Sequence, residues 1–378
     1  MILAAALFCL IGLGAISDGT ISRGQTKVVS ASKTSTTTTR TSTRSHTRRR
    51  RRHRRHRVSL YRVSSYGSPG ADDNVAGEDM TVRQVALEAL GNWNGSIVVV
   101  DPNTGRILTI VNQKLALSGG FRPCSTFKPI VALAALDQDI ITPDTKLRVG
   151  RRSYVSLTEA LARSNNEYFY KLGEMLGFRI LAEYARKFGL GHKAGWDIPG
   201  ESPGAFPPAA PKDGVGNLAY LGEDIEITPL QMAAAISAIA NGGTLYYLQY
   251  PRTPEQLENF EPKIRRQLTE LAPHIPEVRP GMAAAVSYGT ARLADDHGED
   301  ILGKTGTCSE DGARLGWFAS YSVRKPKYVA VVLLRGGQNM YGPHAAEIAG
   351  HFYKDLWEKQ APEVQASEST LIRVASQP

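Results

Sequence analysis

An apolar run without a polar face, Ile130-Val131-Ala132-Leu133-Ala134-Ala135-Leu136, constrains the fold of this chain more than any other stretch. A helix built from it has to be covered on every side, so it belongs at the centre of a fold. Ser125 and Lys128 stand just ahead of it, in Pro123-Cys124-Ser125-Thr126-Phe127-Lys128-Pro129. Three residues amount to about 300° of helical turn, so a helix beginning near Ser125 places hydroxyl and amine on one face. That pair has the makings of a nucleophile and its base on a rigid mount. The spacing alone also fits a Ser that merely caps a core helix.

The 378 residues hold two or three average domains, or one large domain with extensions. Charge distribution favours the second. Residues 1–80 contain 14 Lys and Arg against 5 Asp and Glu, a surplus of 9 equal to the net charge of the whole chain, so residues 81–378 are formally neutral. The high pI therefore says nothing about the substrate of the folded part.

Residues 2–16 form an uncharged apolar run, short for a membrane span and right for a signal-peptide core. With Ala15-Ile16-Ser17 as a small-x-small cleavage site, residues 1–17 read as a signal peptide or an anchor, although no Lys or Arg precedes the run. The protein is expected to be exported, to the periplasm or cell envelope. Cysteine usage agrees: Cys9 would leave with the signal peptide, and Cys124 and Cys308 remain as an even pair.

Residues 18–79 are Ser/Thr-rich and then Arg-rich, with Arg48 to Arg57 interrupted only by His53 and His56. Such a segment buries no core and is expected to be disordered. The Arg run suits contact with anionic membrane or acidic wall polymers, or serves as a solvated tether. Nucleic acid is not expected, because no aromatic residue interleaves the arginines. The two histidines lack further ligands, and no metal or cofactor is called for.

Order is expected from Met80 to about residue 360, with 361–378 as a tail. Residues 81–90 read as an amphipathic helix, and 96–101 and 106–111 as a β-hairpin around Pro102-Asn103-Thr104-Gly105. The pattern from Phe127 to Phe188 is helical, with Gly177 and Gly189 as stops. Thr228-Pro229 opens a helix that stops at Asn241-Gly242. A helix from Met282 to about Ala291, three strand-like runs near 303–307, 315–321 and 328–334, and a helix over 345–359 complete the chain. Strands at both ends with helices between predict an α+β domain whose antiparallel sheet unites N- and C-terminal segments, beside a mostly helical subdomain.

Two further motifs turn the Ser–Lys pair into a candidate site. Ser164-Asn165-Asn166 follows 39 residues after Ser125, and Lys304-Thr305-Gly306-Thr307 lies on a predicted strand. Acyl transfer needs what they offer together. Lys128 can deprotonate Ser125 only if burial and a second cation lower its pKa, and Lys304 is that cation. Lys304 and the Thr307 hydroxyl suit a substrate carboxylate, Ser164 a proton relay to the leaving amine, and Asn166 the substrate amide. The Ser125 and Thr307 N–H groups would form the oxyanion hole, with Gly306 letting the substrate lie close to the strand.

In these motifs the chain resembles the transpeptidase domain of the penicillin-binding proteins, serine D,D-peptidases of the β-lactamase/transpeptidase-like superfamily that cross-link peptidoglycan. The resemblance covers roughly residues 92–360 and includes Gly95–Pro102, Thr228–Ala235 and Ala240-Asn241-Gly242-Gly243. It implies attack by Ser125 on the D-Ala-D-Ala end of a stem peptide, release of D-Ala, and transfer of the acyl group to an amine or to water. It further implies Thr305, Gly306 and Thr307 as substrate-binding residues, acylation of Ser125 by β-lactam antibiotics, and room for glycosyltransferase, divisome or elongasome partners. No glycosyltransferase domain fits ahead of residue 80, so a monofunctional protein is expected. Where the family usually has Gly before the nucleophile, this chain has Cys124, and Cys308 follows Thr307. A Cys124–Cys308 disulfide would tie the nucleophile's helix to the strand; two packed thiols are the alternative.

Rival readings have their own signatures. Residues 298–305 match the letters of a phosphate-binding P-loop, G-x-x-x-x-G-K-[ST], but that motif requires a strand before it and a helix after. A D,D-carboxypeptidase shares the acyl-enzyme chemistry. Class D β-lactamases share Ser125-Thr126-Phe127-Lys128 but carry an aliphatic residue where Asn166 stands. A non-catalytic β-lactam sensor or wall-binding module would form no productive acyl-enzyme.

Overall fold

The computed structural model describes residues 61–294, 301–324 and 327–375, with side chains up to residue 361. The candidate signal or anchor segment and the Arg run lie outside the described residues. The ten helices placed there are α1 Met80–Leu90, α2 Gln113–Leu117, α3 Lys128–Asp137, α4 Leu157–Ala162, α5 Asn166–Lys187, α6 Val215–Leu221, α7 Pro229–Asn241, α8 Pro254–Glu258, α9 Ile275–Ser287 and α10 Gly342–Ala375. The main sheet is built from β1 Gly95–Val100, β2 Ile107–Val111, β7 Ile301–Glu310, β8 Ala313–Ser322 and β9 Val329–Gly336. Two small ribbons pair β3 Leu147–Arg148 with β4 Tyr154–Val155, and β5 Thr244–Tyr246 with β6 Ile264–Gln267.

The sheet runs in the order β2-β1-β9-β8-β7, antiparallel throughout, so the N-terminal hairpin joins the C-terminal meander through β1 and β9. Both faces are covered, which is why its strands read as nearly continuous apolar runs. Val98, Val331 and Trp317 face a core shared with α3, α5 and α7, whereas Ile97, Val332 and Phe318 face α1 and α10. The alternation places Lys304, Gly306 and Cys308 toward the helical side and Thr305 and Thr307 toward α10. Strand β7 is a sheet edge, open to pairing along its outer side.

Helix α3 is buried from Lys128 to Leu136, as its lack of a polar face requires. Helix α7 begins with a capping box in which Thr228 and Gln231 satisfy each other's backbone N–H groups, with Pro229 in the first turn and Gly242 (φ 93°) as the left-handed stop.

Order begins earlier than Met80. Residues 61–79 are packed on the domain rather than disordered. Arg62 N donates to Gly312 O at 2.8 Å, Gly337 N to Ser65 Oγ at 2.9 Å, and the Tyr66 ring stacks on Trp93 at 4.8 Å. Glu78 and Asp73 both receive the buried guanidinium of Arg83, at 2.7 and 3.0 Å. Specific backbone and ion-pair contacts hold this segment, and low apolar content does not report them. At the other end α10 continues to Ala375, past the tail boundary at residue 361. The ribbon β3–β4 interrupts the region read as helical, and Gly177 (φ 73°, ψ 165°) is non-helical, so α5 is two helices meeting at a kink where the stop was expected. Helix α9 runs Ile275–Ser287 with Pro280 within it, so it starts ahead of the Met282 read from the sequence.

Candidate active site

Ser125 lies in a 3₁₀ turn, Cys124–Phe127, that leads directly into α3. Its loop is fastened on two sides. Phe121 and Ile227 exchange backbone hydrogen bonds at 2.8 and 2.9 Å, which anchors the loop to the start of α7. Toward the sheet, Glu310 Oε2 accepts from Arg122 N at 2.8 Å and Trp317 Nε1 donates to Arg122 O at 3.0 Å. Cys124 and Cys308 are joined by a disulfide with Cα atoms 5.8 Å apart. Cys124 has φ 52°, the left-handed region that favours glycine, so its side chain stands at a cost of about 1 kcal/mol or more.

Gly306 is explained by the same packing. A Cβ built there would sit 3.0 Å from Pro123 O and 3.2 Å from Thr126 Cγ2. The close approach it permits is therefore that of the nucleophile's own loop to β7, in addition to any approach by substrate.

The Lys128 amine is buried and donates to Asn166 Oδ1 at 2.7 Å and Ser164 O at 2.9 Å, with Ser164 Oγ at 3.1 Å. Ser164 has φ 54°, a second left-handed non-glycine residue at the site. Ser125 Oγ is directed to Tyr220 O, at the end of α6, over 3.5 Å rather than to Lys128. The structure thus brings Lys128, Ser164 and Asn166 into direct contact, with Ser125 in the turn just ahead of Lys128 and its hydroxyl directed to Tyr220 O.

A charged amine without full solvation costs several kcal/mol, so buried lysines shed protons. Burial holds Lys128 well below the ordinary ammonium range, and the charge of Lys304 pushes it further down. Burial alone brings Lys304 to about 7. A charged Lys304 thus favours loss of the Lys128 proton. A neutral Lys128 has two N–H groups for Asn166 Oδ1 and Ser164 O, and its lone pair then faces the Ser164 hydroxyl. Lys304 donates to Thr305 O at 3.0 Å.

Thr307 Oγ1 accepts from Gly342 N at 2.8 Å, which leaves the hydroxyl proton to point elsewhere, and Thr305 Oγ1 lies 2.6 Å from Thr290 Oγ1. Lys304 and Thr305 sit in the middle of a ten-residue strand. A P-loop would place them at the opening of a helix, so that reading is excluded.

The penicillin binding protein transpeptidase domain family matches residues 95–354. The chain belongs to the penicillin-binding protein transpeptidase family. Stage V sporulation protein D of Bacillus subtilis is 30% identical over 294 residues, covering 68% of this chain and 44% of that protein. Peptidoglycan D,D-transpeptidase MrdA of Acinetobacter baumannii is 25% identical over 357 residues, covering 74% and 53%. The chain spans about half the length of the curated relatives it matches. Among solved structures, penicillin-binding protein 3 of Mycobacterium tuberculosis superposes with a TM-score of 0.62 at 23% identity, over 75% of this chain and 76% of that one. The transpeptidase domain of Burkholderia pseudomallei penicillin-binding protein 3 gives 0.64 at 20% identity, over 77% and 97%. These likenesses are to the α+β fold of penicillin-binding protein transpeptidase domains, the fold expected from the sequence.

Sequence reasoning missed Tyr220, Glu310 and Trp317. Tyr220 acts through its backbone carbonyl, which carries no residue signature, and the other two reach Arg122 across 188 and 195 residues. Glu310 and Trp317 share with the disulfide the role of holding the Ser125 loop on the sheet.

Closing a loop of 184 residues stabilises a fold by about 5 kcal/mol on chain entropy, an upper figure. Cys308→Ala is expected to lower unfolding free energy by about 3–5 kcal/mol in urea titrations. An unchanged midpoint, or two freely alkylated thiols in the native protein, would contradict this role.

Proposed function

We propose that this penicillin-binding protein is a D,D-transpeptidase that cross-links peptidoglycan stem peptides through an acyl-enzyme on Ser125. The observation that carries the reading is the buried Lys128 amine set against Ser164 and Asn166, in the helix that follows the Ser125 turn directly. Ser125 Oγ leaves Tyr220 O, gives its proton to the neutral Lys128, and attacks the carbonyl of the penultimate D-Ala. The N–H groups of Ser125 and Thr307 hold the oxyanion; the former lies in the first turn of a helix, where no intrahelical acceptor is available. Collapse of the tetrahedral intermediate breaks the peptide bond, and the proton passes from Lys128 through Ser164 to the departing D-Ala amine. Asn166 positions the scissile amide, and Lys304 with Thr305 and Thr307 holds the terminal carboxylate. An acceptor amine then repeats the sequence in reverse, releasing Ser125 and forming the cross-link.

β-Lactams enter by the same attack but keep their leaving group tethered, so the adduct persists. The reading carries with it a location outside the cytoplasmic membrane, where peptidoglycan is found. A deacylation time course with fluorescent penicillin tests the proposal. An adduct lasting many minutes, together with release of D-Ala from stem peptides in the presence of an acceptor amine, supports transpeptidation. Turnover within seconds would mark a β-lactamase, and no adduct a binding module.

A further inference from the structure

A cavity of ≈ 880 Å³ lies away from the nucleophile, between the segment 196–199 and residues 249–263, which include α8 and join β5 to β6. The backbone of Gln249 is stitched to the β1–β2 turn, donating to Gly105 O at 2.9 Å and accepting from Ile107 N at 2.8 Å. That places it beside β2, the edge opposite β7, about 19 Å away over four strand spacings. A ligand here would not compete with one on β7.

The lining has a particular chemistry. Trp196 is half exposed, and its ring meets Tyr247 edge-on at 5.3 Å. Three amide side chains line the same cavity, each held at one end by the protein. Gln249 Nε2 donates to Glu261 O at 2.8 Å, Asn259 Nδ2 donates to Glu255 O at 2.9 Å, and Gln256 Oε1 accepts from Arg252 N at 2.7 Å. Among the described residues no protein group takes the other ends, so two carbonyl oxygens and one amide nitrogen are left to solvent or a ligand. Polar groups held in place before binding lose little entropy on complexation.

The cations do not make this an anion site. Arg252 is stacked on Tyr250 at 3.5 Å and Lys263 lies over Trp196 at 4.7 Å, while Asp197, Glu255 and Glu261 also line the cavity. Two positive and three negative side chains leave no surplus for a phosphate. An aromatic ring with fixed amide donors and acceptors, without net positive charge, suits a neutral ligand that has an apolar face and hydroxyl and acetamide edges.

We infer that this cavity binds a short stretch of N-acetylated aminosugar glycan, the backbone of the polymer whose stem peptides the Ser125 site is proposed to join. The inference rests on that proposed function for its biological sense, but its test does not. Held here, the glycan would raise the local concentration of stem peptides near β7 without touching the reacting atoms.

Isothermal titration with tetra-N-acetylchitotetraose, with cellotetraose as the control lacking acetamides, reads the site directly. Saturable binding of the acetylated oligomer is expected, weakened at least tenfold by Trp196→Ala and by Asn259→Ala. Binding is expected to persist after saturation with benzylpenicillin, and the rate of benzylpenicillin acylation is expected to be unchanged in both variants. Asn259 is exposed at the end of α8, so its variant decides the matter even if Trp196→Ala fails to fold. No binding by the wild type, equal binding of cellotetraose, or wild-type affinity in Asn259→Ala would overturn the inference. Failure of benzylpenicillin to acylate the wild type would instead refute the proposed function and leave the titration result standing.

Discussion

Lys128→Met is expected to slow acylation by penicillin about 10³-fold while leaving the protein folded. A positioned general base contributes about 10²–10⁴ to such a step, and Lys128 is the buried amine at the start of the helix that follows Ser125. Methionine matches its length and polarisable bulk in a pocket where the Phe169 ring lies 5.2 Å from the amine. The substitution leaves Asn166 Oδ1 and Ser164 O without their donor, and both groups lie toward the surface, where water can serve them. Loss of acylation with a retained cooperative melt is therefore the expected pair of results, read by stopped-flow labelling and calorimetry. Acylation within threefold of wild type would remove Lys128 from the mechanism.

The second large effect concerns Lys304 and pH. In the free protein, acylation at limiting penicillin is expected to follow a bell. Its acid limb marks Lys128 becoming neutral, and its alkaline limb, near 7, marks Lys304 losing the charge that meets a carboxylate. Between pH 6.5 and 8.5 the second-order rate constant is expected to drop about tenfold or more. Saturating ligand brings a carboxylate to Lys304 and favours its charged form, so the limb should move to higher pH in the maximal rate.

Stability must move the opposite way. The folded pKa of Lys304 lies below its unfolded value, so between about 7 and the ordinary value of 10.5 the unfolded chain binds more protons than the folded one. Unfolding free energy from Lys304 therefore rises with pH through that window and falls back as pH drops through 7. Lys304→Met is expected to abolish the alkaline limb and shrink the stability gain between pH 7 and 9 in urea titrations. An alkaline limb unchanged in that variant would show that another group governs it.

Much of this was legible in the sequence, for reasons that differ by element. The capping residues of α7, Thr228 and Gln231, act on their own helix, so local reading found both ends of it. The chemistry of Lys128, Ser164, Asn166 and Lys304 resides in side chains at fixed spacings, and three of the four converge directly. What escaped notice depends on long-range or backbone contacts. Residues 61–67 are polar and aperiodic, yet they are held by Gly312, Gly337 and Trp93, far away in sequence. The two-residue strands β3 and β4 are too short for any period to register. The fastening of the Ser125 loop by Glu310 is equally invisible, although burial pushes that carboxyl up and the Arg122 N–H draws it partly back. Pairing of the cysteines was one of two open readings, and the geometry of β7 against the nucleophile's loop decides between them.

The central claim is that one hydroxyl, Ser125 Oγ, carries the acyl group. Peptide mapping by mass spectrometry after incubation with benzylpenicillin reads it directly, on the wild type and on Ser125→Ala. The account predicts a single penicilloyl adduct on the peptide containing Ser125, at one per chain, and none in the variant. An adduct on any other residue, or one retained when Ser125 is alanine, would contradict it.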